Sequence, residues 1–431
     1  MSNLVPEGWS KYLLQDVCYF QEGPGLRRWQ YTIKGYPFIN IRCIKQGALD
    51  LSNVQYISET EALEKYQHFF LNEGDLVLSS SGTLGRMAKV KKSDLPIMLN
   101  TSVIRFKSTN EKQLYPTYLP HLLQSSEFVD QITEESQGSA QVNFGPTHLK
   151  LVSCCFPPLP EQQKIAAILT SVDDVIEKTQ AQIDKLKDLK SGMMQELLTK
   201  GVGIKQGDKY EPHIEFKDSP VGRIPKSWEV QPIADLCSHV VDCVNKTAPV
   251  VDFKTPYKMI RTTNVRHGRV DTENVRCVSK ETYENWTRRI KPENGDLIFT
   301  REAPVGECGI LEDSRGIFLG QRTMMYRANE KKTSSGFLMY SLMSEYGRKQ
   351  LENFSGGSTV PHMRVPDCGK ILIKTPPLNE QNKILGSLNS VDFSILQKEK
   401  KLAKLLNLKK ALMQDLLTGK VRVKVDNDLI S

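Results

Sequence analysis

Pro366 and Asp367 stand where a nuclease would open a Pro-Asp motif, but no acidic-x-Lys follows at a useful spacing. The seven histidines do not cluster at metal-ligand spacings. "PPLP" at Pro157 and "PPLN" at Pro376 are preceded by Phe156 and Thr375, so neither is the Asn-Pro-Pro-Tyr or Asp-Pro-Pro-Tyr of an adenine methyltransferase. There is no G-x-x-x-x-G-K-[ST] loop to cradle a nucleotide phosphate, and no Gly-rich loop after a strand suited to S-adenosylmethionine. Nine cysteines (Cys18, Cys43, Cys154, Cys155, Cys237, Cys243, Cys277, Cys308 and Cys368) contain no C-x-x-C pair and are odd in number. That excludes a zinc knuckle and a secreted disulfide framework, leaving buried, reduced thiols. The expectation is a chain with no catalytic chemistry, metal or cofactor of its own.

At 431 residues the chain is long enough for two or three domains, each with a core. A net charge of +8 permits an anionic partner but matters only if the surplus is gathered on one face. The N-terminus "MSNLVPEGWSKYLL" lacks a basic region followed by an apolar one, and no run approaches about 18 apolar residues, so a cytoplasmic protein with no membrane partner is expected.

The elements that must position any functional residue are written twice. "PPLPEQQKI" begins at Pro157 and "PPLNEQNKI" at Pro376, and 376 − 157 = 219. Trp9, Asp16 and Cys18 recur at the same offset as Trp228, Asp235 and Cys237. Gly74, Asp75 and Gly85 match Gly295, Asp296 and Gly306, and Gly138 and Ser139 match Gly357 and Ser358. Each half begins with short strands, among them "YPFINIRCI", "GDLVLSS" and "SVIRFK", then "YKMIRTTNV", "GDLIFT" and "RTMMYRA". Helical stretches follow, "YPTYLPHLLQSSEFVDQITEE" and "SSGFLMYSLMSEYGRKQLENF". Each Gly-Asp pair reads as a turn entering a buried strand, not as a catalytic aspartate.

Beyond each Pro-Pro-Leu a 4,3 spacing selects Ile165, Leu169, Val172, Ile176, Thr179, Ile183, Leu186, Lys190, Met193 and Leu197. Adding 219 gives Ile384, Leu388, Val391, Ile395, Lys398, Leu402, Leu405, Lys409, Leu412 and Leu416. These are coiled-coil seams whose two polar interruptions fall at the same places in both halves. Each buried Leu or Ile is worth roughly 1.5–3 kcal/mol, so the stripes need a partner, and each other is the nearest. Antiparallel pairing is expected, with a parallel arrangement left open by the sequence. About 40 helical residues would make a rod of roughly 60 Å.

The Trp opening, the Pro-Pro-Leu-x-Glu-Gln-x-x-Ile lead into a helix ending "MMQELLT" or "LMQDLLT", and the link "FKDSPVGRIPKSW" together resemble the specificity subunit of type I restriction-modification enzymes. The resemblance covers essentially the whole chain, twice. It implies a mixed α/β fold: two tandem target-recognition domains joined by two long helices in an antiparallel coiled coil with a pseudo-two-fold. The domains would be 1–158 and 225–377, the spacer helices 159–200 and 378–420, with a linker at 201–224 and a tail at 421–431. Each domain would read one half of a bipartite double-stranded DNA target. The helices would set the spacer and dock two methyltransferase subunits, which recruit the nuclease-translocase subunits. S-adenosylmethionine, ATP and Mg would then belong to those partners. A coiled-coil scaffold that binds only protein is the alternative. One departure is Asn379 for Pro160 and Gly386 for Ala167, which is expected to loosen the first turns of the second helix.

Reading a duplex takes phosphate contacts for affinity and side chains at base edges for specificity. The candidates are Arg27, Arg28, Lys45, Arg86 and Lys89 in the first half. In the second they are Arg266, Arg269, Arg288, Arg289, Arg301, Arg322 and Arg364. Lys45 and Arg266 match at an offset of 221 and are expected to share a phosphate contact. Gln141, Asn143, Ser358 and His362 lie in or beside the Gly-Ser loops, and their difference between halves suits domains that read different sequences.

Overall fold

Proline has no amide proton and is tolerated at a helix start, so each Pro-Pro-Leu turns a strand into a helix. Strand Ser153–Phe156 runs into the first long helix, Leu159–Leu197, and strand Leu372–Thr375 into the second, Leu378–Leu416. In this computed structural model, residues 5–45, 47–81, 85–134, 143–207, 209–356 and 361–425 are described. The chain divides into unit 1, Met1–Gln180 with Lys400–Ser431, and unit 2, Ala181–Glu399, so both divisions fall inside long helices. The second helix is continuous where loosening was expected. Gly386 is exposed, and Ile384 and Leu388 on either side of it are fully buried, which outweighs the roughly 1 kcal/mol a helical glycine costs.

In unit 1, Ser10–Leu13 pairs antiparallel with Ser153–Phe156, closing the domain at the root of its long helix. An antiparallel sheet orders Cys18–Glu22, Val103–Ser108, Leu76–Ser79 and Met87–Lys89. A second sheet orders Tyr31–Thr32, Gln55–Ile57, Tyr36–Ile39 and Met98–Leu99. Unit 2 repeats the plan. Glu229–Pro232 pairs with Leu372–Thr375, and one sheet orders Cys237–Asp242, Thr323–Ala328, Leu297–Thr300, Cys308–Ile310, Gly268–Val270 and Val265–Arg266. Another orders Arg276–Cys277, Lys258–Ile260 and Ile317–Leu319. The Gly-Asp turns do enter buried strands: Gly74 and Gly295 have φ of 87° and 90°. The carboxylate of Asp75 accepts from Asn72 N at 2.9 Å and meets Arg105 at 3.3 Å, while Asp296 holds Arg327 through both oxygens at 2.8 Å.

Two expectations are refined. Each helical stretch is broken in two by a serine that caps the following helix. Ser125 Oγ accepts from Phe128 N and Ser344 Oγ from Gly347 N, both at 3.2 Å. The pieces are Leu119–Leu122 and Ser126–Glu134, then Ser335–Met343 and Glu345–Ser355. Residues 201–224 are not without structure: Ile204–Gln206 pairs with Lys209–Glu211, and Phe216–Lys217 with Ile224–Pro225.

The repeated Glu-Gln explains the repeated phrase. Gln162 donates to Gln113 O and Pro157 O at 2.7 and 2.9 Å and accepts from Tyr115 N at 2.9 Å. Gln381 does the same with Lys332 O, Pro376 O and the Thr333 hydroxyl. Each glutamine thus ties the helix root to its own domain. The glutamates bind the chain that leaves the end of the other long helix. Glu380, 3% exposed, accepts from Val202 N at 3.0 Å, Gly203 N at 3.2 Å, His213 Nε2 at 3.0 Å and Trp228 Nε1 at 2.9 Å. Gly201 has φ 75°, and a β-carbon there would collide with that carboxylate and Trp228. In unit 1, Glu161 is gripped by Arg422 at 2.8 and 2.7 Å, and the guanidinium lies 5.9 Å from the Trp9 ring.

Within each unit the helix halves run antiparallel. In unit 2, Gln182 meets Lys398 at 2.8 Å and Lys190 meets Asp392 at 2.7 Å, the second number falling as the first rises. In unit 1, Asp173 meets Lys409 at 2.7 Å, while Glu161 meets Arg422. The apolar seam is covered throughout. Ile165, Leu169 and Leu416 are buried in unit 1, with Val172, Ile176, Leu402, Leu405 and Leu412 half-buried. Ile183, Ile384, Leu388, Val391 and Ile395 are buried in unit 2, with Leu186, Met193 and Leu197 half-buried. The polar interruptions Lys190 and Lys409 are the two lysines that meet Asp392 and Asp173. A third group joins each pair from the globular domain. The Tyr340 hydroxyl lies 2.6 Å from Asp392 and 3.0 Å from Asn389; at the matched position, His121 Nε2 lies 3.2 Å from the Thr170 hydroxyl and its Nδ1 4.0 Å from Asp173.

All nine cysteines are free; six are buried, whereas Cys155, Cys237 and Cys277 are half-buried. No helix of the described residues is long and apolar enough to cross a membrane.

Replacing Glu380 with Ala leaves four donors without their acceptor, and the cost is expected to be about 3–5 kcal/mol. The denaturation midpoint and the amide exchange of Val202 and Gly203 report it; unchanged protection there would contradict the assignment. His121 supplies a pH test. Burial lowers its pKa from the ordinary 6.5 to about 4, with Asp173 pulling upward and Lys409 downward. The unfolded chain therefore binds more protons between pH 6.5 and 4, and stability falls as pH drops through that window. Calorimetry should show Tm declining from pH 6.5 to 5 in the wild type and a flatter profile in His121→Tyr, which copies the matched Tyr340.

Candidate nucleic-acid interface

Four described residues with a side chain, Ser102, His267, Ala303 and Arg322, hold the left-handed backbone that suits glycine, and two of them stand at equivalent places in the repeat, Ser102 at φ 67° in unit 1 and Arg322 at φ 72° in unit 2. Such a conformation costs of order 1–3 kcal/mol and persists where surrounding bonds impose it. The bonds are the same in both units. Ser80 N donates to Ser102 O at 3.0 Å and Phe144 N to Ser80 O at 3.1 Å; Arg301 N donates to Arg322 O and Met363 N to Arg301 O, both at 2.9 Å. Isolated bridges link Ser81 with Asn143 and Glu302 with His362. The frame is one; its side chains are two different sets. Unit 1 has Ser80, Ser81, Ser102 and Asn143 where unit 2 has Arg301, Glu302, Arg322 and His362.

Unit 2 thereby brings three sequence candidates together. His362 is exposed, and Arg322 reaches Glu302 at 3.1 Å. Arg301 is 8% exposed and donates to Met363 O at 3.1 Å, a bond that braces the frame. Arg364 lies next to them on the chain, tied to Asp367 at 2.8 Å. That aspartate also meets Lys370 at 3.0 Å, and the Lys370 ammonium, then Arg364, hold its carboxyl below the usual range. Asp367 is therefore a structural anion. In unit 1, Asn143 is exposed at the frame, whereas Gln141 and Ser358 lie outside the described residues.

A second feature of unit 1 is a cleft of 590 Å³ at the end of strand Tyr36–Ile39. Arg28 and Lys45, two sequence candidates, line it together with Asn40, Arg42, Asp50 and Gln55. Asn40 Oδ1 accepts from Arg42 N at 2.9 Å, fixing the turn that aims Arg42, and Asn40 Nδ2 reaches Gln55 at 3.4 Å. Asp50 is held below the usual carboxylate range by the Ser52 hydroxyl and amide, then by Lys45 at 3.6 Å. Arg28 and Arg42 form no ion pair with a described residue, so the cleft holds three cations against one carboxylate. Cys43 also lines it, and burial pushes its thiol pKa up, so it is no nucleophile at neutral pH.

Arg27, Arg86, Lys89, Arg269, Arg288 and Arg289 are exposed, with Arg289 paired to Asp242 at 2.7 Å. Lys45 and Arg266 differ in setting, because one Arg266 nitrogen donates to Thr262 O and Val265 O at 2.7 Å. Asn40, Arg42 and Gln55 were missed by the sequence reading. The signal was present: in "INIRC" the polar Asn40 and Arg42 break into an apolar run, and an asparagine two residues before a backbone amide is a turn former. Among the described residues, no group of three His, Cys, Asp or Glu could hold a metal ion.

Residues 6–188 and 225–407 each match the type I restriction modification DNA specificity domain. The two matches are offset by 225 − 6 = 219, the internal repeat. The chain is 29% identical over 430 residues to the type I restriction enzyme MjaVIII specificity subunit of Methanocaldococcus jannaschii, covering 97% of this chain and 94% of that one. Its fold is similar to that of the type I restriction-modification S subunit from M. genitalium, at a TM-score of 0.56 and 12% identity over 96% of this chain and 97% of that one. A chain from a study of complex assembly and conformational transition in the type I R-M system has a TM-score of 0.53 at 17% identity, covering 97% of this chain and 100% of that one.

Proposed function

The chain belongs to the type I restriction modification DNA specificity domain family, and from that membership we propose that it is the non-catalytic, sequence-reading subunit of a restriction and modification complex. Each globular domain reads one half of a bipartite duplex target. The observation that carries this is the repeated backbone frame with different polar side chains, Ser81 and Asn143 in one unit and Glu302, Arg322 and His362 in the other. A common frame presents each set to DNA in the same way, and different donors and acceptors select different bases. The cation surplus of the unit 1 cleft supports phosphate contact beside it.

The long helices act as the spacer and as the docking surface for two methyltransferase subunits, through which nuclease-translocase subunits join. Half-sites on one face of a duplex lie about 34–36 Å apart per helical turn, so their readers need a fixed separation. Helix halves locked by Lys190–Asp392 in unit 2 and Lys409–Asp173 in unit 1 support that role. In this reading S-adenosylmethionine, ATP and Mg are held by the partner subunits, and the complex works in the cytoplasm.

Exchanging residues 1–155 for the corresponding part of another family member should change one half of the sequence methylated by the assembled enzyme and leave the other half intact. An unchanged methylation sequence would defeat the reading. Inserting four residues in each helix, near Gln182 and Lys401, should lengthen the unspecified spacer in the methylated sites. Sites of unaltered spacing would remove the ruler role while leaving recognition in place.

A further inference from the structure

Trp29 is 81% exposed, whereas Trp9 and Trp228 are 7% and 0% exposed and Trp286 is half-buried. Its exposure is built in. Trp29 sits in a short helical turn, Arg28–Gln30, pinned from both sides. On one side Leu26 is buried and its amide donates to Asn100 Oδ1 at 3.3 Å. On the other the buried Gln30 donates to Glu61 at 2.8 Å and Tyr66 at 3.1 Å, and its Oε1 accepts from Arg27 N at 2.8 Å. Between these anchors Arg27, Arg28 and Trp29 all face solvent. A large aromatic held in water on such a turn forgoes the gain of burial unless a partner covers it.

Charge identifies the partner. Arg27 and Arg28 immediately precede Trp29 in the chain, Arg28 lines the cationic cleft with Arg42 and Lys45, and neither Arg27 nor Arg28 forms an ion pair with a described residue. A polyanion with apolar, stackable faces satisfies both requirements. Apolar side chains in cationic surroundings insert between base steps of duplex DNA, and aromatic rings gain by base stacking.

Resting on the DNA reading above, we propose that Trp29 is the wedge by which the first domain unstacks a base step in or beside its half-site, with Arg28 and Arg42 on the flanking phosphates. The backbone that carries the indole is already held by these bonds, so insertion has only the Trp29 side chain left to order.

The test uses the assembled complex and a duplex carrying its methylated site, with 2-aminopurine replacing adenines in and next to the first half-site. Wild type should raise the fluorescence at one step, since unstacking relieves quenching. Trp29→Ala should abolish that rise and weaken binding about 10–100-fold, and Trp29→Phe should retain most of both. Arg28→Ala should instead lower the slope of log K against log salt by about one and keep the fluorescence change. A Trp29→Ala complex that equals wild type in affinity and fluorescence overturns the wedge and leaves DNA reading intact. So does one that releases a protein subunit while binding DNA normally, because Trp29 would then be a protein contact. If wild type itself shows no salt-dependent binding to the duplex, the DNA reading fails, and the wedge with it.

Discussion

An ammonium group half-buried in an apolar helix seam is stabilised by an anion, and Lys190 and Lys409 each have one in the same way. Lys190 and Lys409 each meet an aspartate of the opposing helix at 2.7 Å, and the two aspartates, Asp392 and Asp173, are themselves repeat equivalents. Such a pair adds little net stability over a well-packed apolar seam, because desolvating two charges offsets their attraction. Its effect is discriminatory: a misaligned helix would leave both charges half-buried and alone, and polar seam residues are well-attested devices for fixing orientation and register. Tyr340 and His121 extend each pair into the globular domain, so helix orientation and domain position are set by one cluster.

Duplication with divergence is legible in how backbone and side chains divide the work. The bonds around Ser102 and Arg322 are main-chain bonds, indifferent to the side chain carried, and they hold both residues in a conformation neither would choose. The side chains are thereby free to vary. Unit 1 places neutral hydroxyl and amide groups on the frame, while unit 2 places two guanidinium groups, a carboxylate and an imidazole. Arg301 marks the limit of that freedom, because its donation to Met363 O makes it part of the frame.

Much of the architecture was readable from residue types. The 219-residue offset, the heptads and the Gly-Asp turns depend on periodicity and on glycine, which act locally. Glu161 and Glu380 were legible as a repeated motif but not in their role, since their partners Arg422, Val202, Gly203, His213 and Trp228 lie far away in sequence. Breaks at Ser125 and Ser344 were missed because an apolar stripe continues through them, while the serine caps act on the backbone. Among the interface candidates, type and exposure were easier to read than alliance. Nothing local distinguishes Arg301, turned inward onto a carbonyl, from Arg28, which faces a cleft.

The two units differ in how they are drawn from the chain, and synthesis on the ribosome runs in one direction. Unit 2 is the continuous segment Ala181–Glu399, so all of its core is available as soon as that segment has emerged. Unit 1 is interrupted: Leu416 and Leu417 belong to its core, and Arg422 neutralises its buried Glu161. The domain translated first is therefore finished last, and it waits with an open apolar flank and an uncompensated carboxylate while more than two hundred residues are made.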